Sequence, residues 1–291
     1  AKAVKLLLQK TNLKPKDIEA IGSHGQTLWH EPNSTYPFSM QLGDPSLLAV
    51  QTSITVVADF RAKDIAVGGQ GAPFAPAFHA ELFSHIPNCG VVNIGGMANL
   101  SVLSENIIGY DTGCGNVLMD MWIQEKKQLP FDRDGSWAKS GQINNQLLQK
   151  MLDDKYFRLE YPKSTGREYF NKNFLIKYLE QCDKISDKDI QATLLALSVK
   201  SIANEIKKFD IKTVLVCGGG AKNSYLMESL QSQFEDIVID TTDSYGVSGD
   251  DIEAMIFAWF AYKRLCHEPI KLKTVTGAKK NTILGGIYAT D

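Results

Sequence analysis

Three segments of the chain share one pattern, in which a short apolar strand runs directly into glycine. They are AIGSHGQT at 20–27, VVNIGGMANLSVL at 91–103 and TVLVCGGGAKN at 213–223. After its glycines the second segment alternates well enough to predict the return strand of a β-hairpin. The third continues into NSYLMESLQSQF, whose apolar residues have helical spacing. The pattern therefore predicts strands that end in glycine turns.

Helical patterns fill much of the remaining chain. They cover 141–154, 170–182, 187–209 and 250–266. Strands mixed with long helices predict an α/β protein with mixed sheets. The length of 291 residues suggests two domains, at roughly 150 residues each. The Gly/Pro-rich stretch at 68–76 suits a hinge between domains and a surface loop about equally.

The charge balance favours small molecules as partners. The formal net charge is -2 and the pI is about 6.3. We therefore expect no broad basic surface for nucleic acid and no polybasic segment for a membrane. The apolar run near the N-terminus is too short to span a bilayer and predicts an amphipathic helix that ends at 12–15. Five cysteines without a C-x-x-C pair favour a reducing, cytoplasmic location.

The string YDTGCGNVLMD, at 110–120, combines a carboxylate, a hydroxyl, a thiol and two glycines. Asp111-Thr112-Gly113 matches the tripeptide of aspartic proteases, but that chemistry needs two carboxylates that share a proton. The chain has one such tripeptide, and a homodimer supplying the second would have an unusually long subunit. An aspartic protease is therefore a remote interpretation.

Cys114 is a second candidate in the same string. A nucleophilic thiol needs a base, and the histidines at 24, 30, 79 and 85 are distant in sequence, although a spatial partner stays open. A small residue in a tight turn is the favoured interpretation. The separation of His24 from His30 fits no zinc spacing, which argues against zinc at this pair, and the sequence leaves the metal ligands unknown.

Sequence signals for phosphate binding are stronger than those for a protease, a nucleophilic cysteine or zinc, although each departs from the simplest phosphate-binding patterns. Gly218-Gly219-Gly220 is followed by Asn223 where a dinucleotide fingerprint has its third glycine, and Asp240 lies near the spacing of the acidic residue. The dinucleotide interpretation is therefore weak. PKSTG, at 162–166, lacks the glycines of a P-loop. Glycine turns still expose backbone N–H groups to an anion, and one carboxylate, Asp111, suffices as a base in phosphoryl transfer.

Ten strings in the chain occur in the order seen in anhydro-N-acetylmuramic acid kinases, and the chain resembles this family from about Ile21 to its C-terminus. They are GSHGQTLWHEP, QLGDPSLLA, VVADFRAKDIAVGGQGAPFAPAFH, NIGGMANLSVL, YDTGCGNVLMD, FDRDGSWAKSG, YPKSTGREYFN, VCGGGAKNSYLM, GDDIEAMIFAWFA and TVTGA. The resemblance implies a two-domain actin-like ATPase (ribonuclease H-like) fold. The first domain would comprise 1–69 and 274–291, and the second 70–273.

The same resemblance implies a reaction. ATP, with Mg²⁺, would phosphorylate O6 of 1,6-anhydro-N-acetylmuramic acid while water opens the anhydro ring, giving N-acetylmuramic acid 6-phosphate in cell-wall recycling. Asp111 matches the base that takes a proton from the attacking water. The residues that match sugar contacts are Arg61, Glu253, His24 and Gln26. Those that match nucleotide contacts are Gly95, Gly96, Gly113, Gly218, Gly219, Gly220 and Asn223. The resemblance fixes no role for Ser164, Thr165, Arg167 and Glu168 beyond a general ordering of the site.

Two departures from the family pattern matter. Cys114 stands where the family commonly has proline, which leaves the carboxylate in place. The family's opening motif, G-T-S-x-D-G-x-D, cradles the ATP phosphates and helps place Mg²⁺, and this sequence starts downstream of it. We therefore expect a shortened chain with an incomplete first domain and weak turnover by itself. A non-catalytic sugar or nucleotide sensor of the same fold is the alternative, and a homodimer is a candidate assembly.

Overall fold

The structure is a computed structural model that describes residues 1–290. Its strands are β1 (Ile21–Gly22), β2 (Gln26–Glu31), β3 (Phe38–Leu42), β4 (Val56–Ala58), β5 (Cys89–Ile94), β6 (Met97–Leu103), β7 (Ile108–Cys114), β8 (Thr213–Cys217), β9 (Val238–Thr241) and β10 (Gly286–Tyr288). Its α-helices are α1 (Lys2–Thr11), α2 (Pro45–Thr52), α3 (Phe60–Ala66), α4 (Ala75–Phe83), α5 (Val117–Lys127), α6 (Ser136–Lys139), α7 (Asn145–Leu152), α8 (Lys172–Leu179), α9 (Asp187–Ile206), α10 (Ser224–Gln231), α11 (Ile252–Leu265) and α12 (Lys273–Thr276).

These elements group into two units along the chain. The first unit contains Ala1–Glu81 and the chain from Asp251 onward, and the second is Leu82–Asp250. The domain boundaries that the resemblance suggests, after Gly69 and after Lys273, stay a prediction.

The first unit contains two small sheets. One has the order β1-β4-β10, in which β1 is parallel and β10 antiparallel to β4. The other is the antiparallel hairpin of β2 and β3. Helix α1 ends at Asn12, whose left-handed φ of 55° stops the helix where the sequence predicts its end. The Gly/Pro-rich stretch at 68–76 leads from α3 into α4 within this unit.

The second unit is built on a five-stranded sheet with the order β7-β6-β5-β8-β9. Strands β7, β6 and β5 are antiparallel neighbours, whereas β5, β8 and β9 are parallel. The glycines between β5 and β6 form the predicted hairpin, and the strand β8 leads through a 3₁₀ turn into α10 as predicted. Mixed sheets with helices confirm the α/β class.

Helix α9 supplies most of the contacts that cover this sheet. Fifteen of its twenty residues are buried, which explains why its apolar positions continue around the helix. Its N-cap is Ser186, which accepts the backbone N–H of Asp189. Helices α5, α6, α7 and α10 pack on α9, and the resulting core contains Leu194, Leu197 and Ile202. Within residues 1–290, no helix combines the length and apolar character that a membrane crossing requires.

Candidate active site

Three strands of the second unit end at one edge of its sheet. Strand β8 is parallel to β5, and β7 runs in the same direction because both β7 and β5 are antiparallel to β6. Their last residues are Cys217, Ile94 and Cys114. Ligands of open α/β sheets bind at the carboxyl ends of strands. The glycine motifs of the sequence follow these ends, so the fold gathers them at one edge.

Hydrogen bonds join the glycine turns at this edge. The N–H of Gly115 donates to the Gly96 carbonyl at 2.9 Å, and the N–H of Asn116 donates to the Gly95 carbonyl at 2.8 Å. The turn at Gly218 lies against the end of β5, because a Cβ placed there would come within 2.9 Å of the Ile94 carbonyl oxygen. The glycines that the sequence assigns to the nucleotide therefore lie together.

The fold itself requires three of these glycines. Gly218 and Gly113 have φ of +79° and +152°, which favour glycine. A Cβ at Gly113 would lie 2.7 Å from Phe157 Cε1, and a Cβ at Gly220 would lie 2.5 Å from Ile94 Cβ. Packing or backbone conformation thus explains the glycine at each of these positions without a ligand.

The other three glycines have room for a side chain. A Cβ at Gly95 would lie 3.6 Å from the Met97 carbonyl oxygen, and a Cβ at Gly219 would lie 3.7 Å from Asn116 Nδ2. At Gly96 the nearest atom would be the Arg167 guanidinium, at 3.7 Å. Their φ angles lie outside the left-handed region. Because the fold does not explain glycine here, a ligand that approaches the backbone closely is the better explanation.

A cavity of about 530 Å³ opens beside Gly219. Its lining includes polar side chains from three separate motifs, which are Asn116, Asp120, Asp132, Asp134, Lys222 and Asn223. This volume suits a small-molecule ligand. Asn223 is also the N-cap of α10, because its Oδ1 accepts the N–H of Leu226 at 3.0 Å. Burial raises the pKa of Asp120 to about 6, although the charge of Arg167 opposes this.

Asp111 lies in β7 close to the same edge. Its carboxylate Oδ2 accepts the backbone N–H of Thr165 at 2.9 Å. Burial raises the pKa of Asp111 to about 6; the Thr165 N–H acts to lower it and the charge of Glu168 to raise it. A carboxylate with a pKa close to neutral is a better proton acceptor than an exposed one and is still ionised in part at pH 7.

Lys163, whose carbonyl accepts the backbone N–H of Asp111, forms a buried ion pair with Glu205. Lys163 Nζ contacts Glu205 Oε1 at 2.7 Å, and the two side chains are 2% and 4% exposed. Glu205 Oε2 accepts the Tyr110 hydroxyl at 2.9 Å and the Lys208 ammonium at 2.8 Å. Burial acts to raise the pKa of Glu205, but the hydrogen bonds from Lys163, Lys208 and Tyr110 outweigh it and lower the pKa. The Glu205 carboxyl is therefore held in its charged form.

Cys114 is a packed residue and not an activated thiol. It is fully buried in the core of the second unit. Burial raises the pKa of its thiol to about 12, whereas a nucleophilic cysteine needs a depressed pKa. The favoured interpretation of an inert small residue is confirmed, although the residue ends β7 and does not form a turn.

In the first unit, Arg61 and His24 form a direct pair. The Nε and Nη2 atoms of Arg61 lie 3.2 and 2.8 Å from His24 Nε2, and Nη1 donates to the Gly71 carbonyl. The His24 ring stacks on Phe257, with 4.5 Å between centroids. Burial and the charge of Arg61 lower the pKa of His24, while Glu253 acts to raise it. A neutral His24 accepts the hydrogen bond of Arg61 and fixes the guanidinium.

The two other predicted sugar residues differ in how they relate to this pair. Glu253 lies in the first turn of α11, is exposed, and is close enough to influence the pKa of His24. Gln26 begins β2 and its side chain is exposed. Among residues 1–290, no hydrogen bond joins the Gln26 side chain to Arg61, His24 or Glu253. Of the four predicted sugar residues, the structure therefore places Arg61, His24 and Glu253 near one another and leaves Gln26 outside this group.

The sequence did not point to Lys163, Glu205 or Asp120. A charged residue within the apolar pattern of 187–209 was the available signal for Glu205, since buried charges require a partner. Nothing local identifies that partner, because Lys163 is 42 residues away in the chain.

Backbone groups open to an anion and one base for a nucleophile are what phosphoryl transfer requires of a protein. The fold and the site therefore define the class of the protein, which is that of the α/β phosphotransferases.

Comparisons with known proteins specify this class further. A family model for anhydro-N-acetylmuramic acid kinase matches residues 1–290. The anhydro-N-acetylmuramic acid kinase of Sulfurovum sp. (strain NBC37-1) is 56% identical over 288 residues, which are 98% of this chain and 79% of that protein. The protein of the same name from Sulfurimonas denitrificans is 53% identical, over 99% of this chain and 80% of its own length. The one from Pasteurella multocida is 48% identical, over 98% of this chain and 77% of its own length. The chain belongs to the anhydro-N-acetylmuramic acid kinase family.

Among solved structures, an activator of the 2-hydroxyisocaproyl-CoA dehydratase from Clostridium difficile with bound ADPNP has a TM-score of 0.43 and 15% identity. The superposition covers 90% of this chain and 82% of that chain. A likeness of this size supports no conclusion about the present protein.

Proposed function

We propose that the protein uses ATP to phosphorylate O6 of 1,6-anhydro-N-acetylmuramic acid while water opens the anhydro ring. The product is N-acetylmuramic acid 6-phosphate, and the process belongs to cell-wall recycling in the cytoplasm. The observation that carries the proposal is the carboxylate of Asp111, which is held by the Thr165 N–H and has a pKa raised to about 6. Such a group accepts a proton from water at neutral pH.

The glycine turns of the second unit would hold the nucleotide. Backbone N–H groups at Gly96 and Gly219 suit phosphate oxygens, because no side chain keeps an anion away from them. The N–H of Gly95 already donates to the Met97 carbonyl at 3.0 Å, so Gly95 contributes space for the nucleotide and no free donor. The cavity beside Gly219 has a volume of about 530 Å³, which suits a nucleoside. This assignment rests on space in the fold and extends the actin-like ATPase architecture that the resemblance implies.

The first unit would recognise the sugar. N-acetylmuramic acid carries a lactyl carboxylate, and a guanidinium binds a carboxylate strongly. Arg61 is held by His24 and by the Gly71 carbonyl, so its orientation is set before the sugar arrives. Glu253 can accept hydrogen bonds from sugar hydroxyls. Gln26 is a more peripheral contact because its side chain is exposed and lies outside this group.

Mg²⁺ is implied by the use of ATP. Within residues 1–290, no three His, Cys, Asp or Glu side chains come together as a metal site. Mg²⁺ that accompanies ATP is held mainly by phosphate oxygens, water and one or two carboxylates, so it would not require such a cluster.

The direct test is incubation of the protein with 1,6-anhydro-N-acetylmuramic acid, ATP and Mg²⁺. We expect ADP to appear in equal amount to a product whose mass exceeds that of the sugar by one water and one phosphoryl group. The control is the same reaction without sugar, which should release little ADP. ADP release that is independent of the sugar, or sugar binding without ADP release by the folded protein, would contradict the proposal. The second result would favour the sensor.

A further inference from the structure

The segment from Tyr161 to Glu168, which includes PKSTG, has no role in the chemistry assigned so far. It follows the 3₁₀ turn Lys155–Arg158 and leads towards α8. Although its sequence resembles the end of a P-loop, the segment makes two hydrogen bonds with Asp111, through Lys163 and Thr165. These contacts point to a different function from phosphate binding.

Asp111 is held by this part of the chain at three points. Its backbone N–H donates to the Lys163 carbonyl at 3.1 Å, and its carbonyl accepts the Tyr156 hydroxyl at 2.7 Å. Its carboxylate accepts the Thr165 N–H at 2.9 Å. The main chain and the side chain of Asp111 are thus both fixed by residues more than 40 positions away in sequence.

The segment is in turn anchored in the core. Lys163 contributes its carbonyl to Asp111, while its ammonium points away to Glu205 on α9 at 2.7 Å. The ammonium also lies 5.1 Å from the centroid of the Tyr156 ring. One residue therefore connects the strand that carries the base to the central helix of the unit. Removal of one partner from a buried pair leaves an unpaired charge, so the anchor is sensitive to substitution.

We propose that Lys163 is a positioning residue, whose ion pair with Glu205 holds the segment that orients the Asp111 carboxylate through the Thr165 N–H. This inference rests on the proposed role of Asp111 as the base. Lys163 itself touches neither the sugar nor ATP in this proposal.

The surroundings of Asp111 give the proposal a pH signature. The ionisable groups that interact with Asp111 are Glu168 on the segment and Tyr156 before it. Tyr156 also interacts with Glu205 on α9, which is paired with Lys163. Burial and the charge of Glu168 raise the pKa of Asp111, whereas the Thr165 N–H lowers it, and release of the segment would alter all three, so the pKa of Asp111 should change. A role in stability alone would leave that pKa unchanged in the folded fraction.

The test compares Lys163→Met with Lys208→Met, since both remove an ammonium from Glu205 but only Lys163 belongs to the segment. For Lys163→Met we expect kcat to fall roughly 10²-fold, as misplaced catalytic groups do, with small changes in KM. The acid limb of its kcat/KM profile should move relative to that of the wild-type protein. Lys208→Met should keep the wild-type kcat and acid limb. Equal effects in the two variants, or an unmoved acid limb in folded Lys163→Met, would overturn the proposal.

A second measurement needs no turnover. In NMR spectra of the wild-type protein, the Thr165 amide proton should shift with the ionisation of Asp111, and Asp111→Asn should abolish that shift. Glu205→Gln should reduce it, since the anchor is weakened. If the amide does not titrate, the positioning proposal fails even when the kinase reaction is found. If the amide titrates as expected but no sugar phosphate forms, the proposed function fails and the contact stands.

Discussion

The two units hold their charged residues in different ways. In the first unit, Arg61 is bound by His24 and by the Gly71 carbonyl, and these contacts fix a cation. In the second unit, Asp111 keeps one carboxylate oxygen bonded to Thr165, and burial raises its pKa to about 6. A fixed cation suits recognition, whereas a carboxylate of raised basicity suits proton transfer. The comparison is consistent with the proposed division, in which the first unit binds the sugar and the second carries the reactive group.

Asp111→Asn is the strongest test of this division. A general base contributes about 10²- to 10⁴-fold to a rate, so we expect kcat to fall by that factor. Affinity for the sugar should remain within a few fold, because Asn keeps the size of the side chain. Steady-state kinetics and calorimetric titration with the sugar measure the two effects. A large loss of sugar affinity with unchanged kcat would place recognition at Asp111 and reverse the comparison.

Two adjacent glycines allow the second unit to be tested further. Gly220→Ala should lower the free energy of unfolding by about 1–3 kcal/mol, because the new Cβ would overlap Ile94. Gly219→Ala should change stability by less than about 0.5 kcal/mol, since its Cβ meets no close atom.

For Gly219→Ala we also expect the KM for ATP to rise about tenfold, which corresponds to roughly 1.4 kcal/mol of lost binding. The KM for the sugar should stay unchanged. Chemical denaturation and initial rates at varied ATP provide both numbers. An unchanged KM for ATP would remove Gly219 from the nucleotide site and leave its glycine unexplained.

Arg61→Lys tests recognition in the first unit. Lysine cannot reproduce the several directed bonds of a guanidinium, and a charged hydrogen bond contributes about 1.5–3 kcal/mol. The KM for the sugar should therefore rise by about 10- to 100-fold, while the KM for ATP stays near the wild-type value. Lys63→Ala, on the same helix, is the matched control and should change neither. A selective effect of Arg61→Lys on ATP would contradict the assignment of the units.

The smallest expected effect concerns stability and pH. The raised pKa of Asp111 means that the folded protein binds a proton more tightly than the unfolded chain, so stability decreases as pH rises from about 4 through about 6. Asp111→Asn removes this dependence. We expect the variant to gain about 1–2 kcal/mol relative to wild type at pH 8 and much less at pH 4.5, after allowance for partial solvent screening.

Urea denaturation at the two pH values measures the gain of Asp111→Asn. Asp120, whose pKa is also raised to about 6, is present in both proteins, so its contribution cancels in the difference. An equal gain at both pH values would show that the carboxylate is not desolvated, and the contrast with the first unit would then lose its electrostatic basis.

The sequence by itself determined the features that depend on neighbouring residues. Apolar periodicity predicted the hairpin of β5 and β6, the passage from β8 into α10, and the long helix α9, because these patterns repeat within one element. The ordered strings pointed to the family, and the family model confirms it.

Only the tertiary structure decided how each residue of the motifs is used. It separated Gly220, which packing requires, from Gly219, which has room for a side chain, although the two are adjacent in sequence. It also brought Thr165 to Asp111 across 54 positions. Steric room and desolvation arise from atoms distant in the chain, so no local pattern contains them. For that reason the sequence could propose Asp111 as the base but could not show what holds that carboxylate in place.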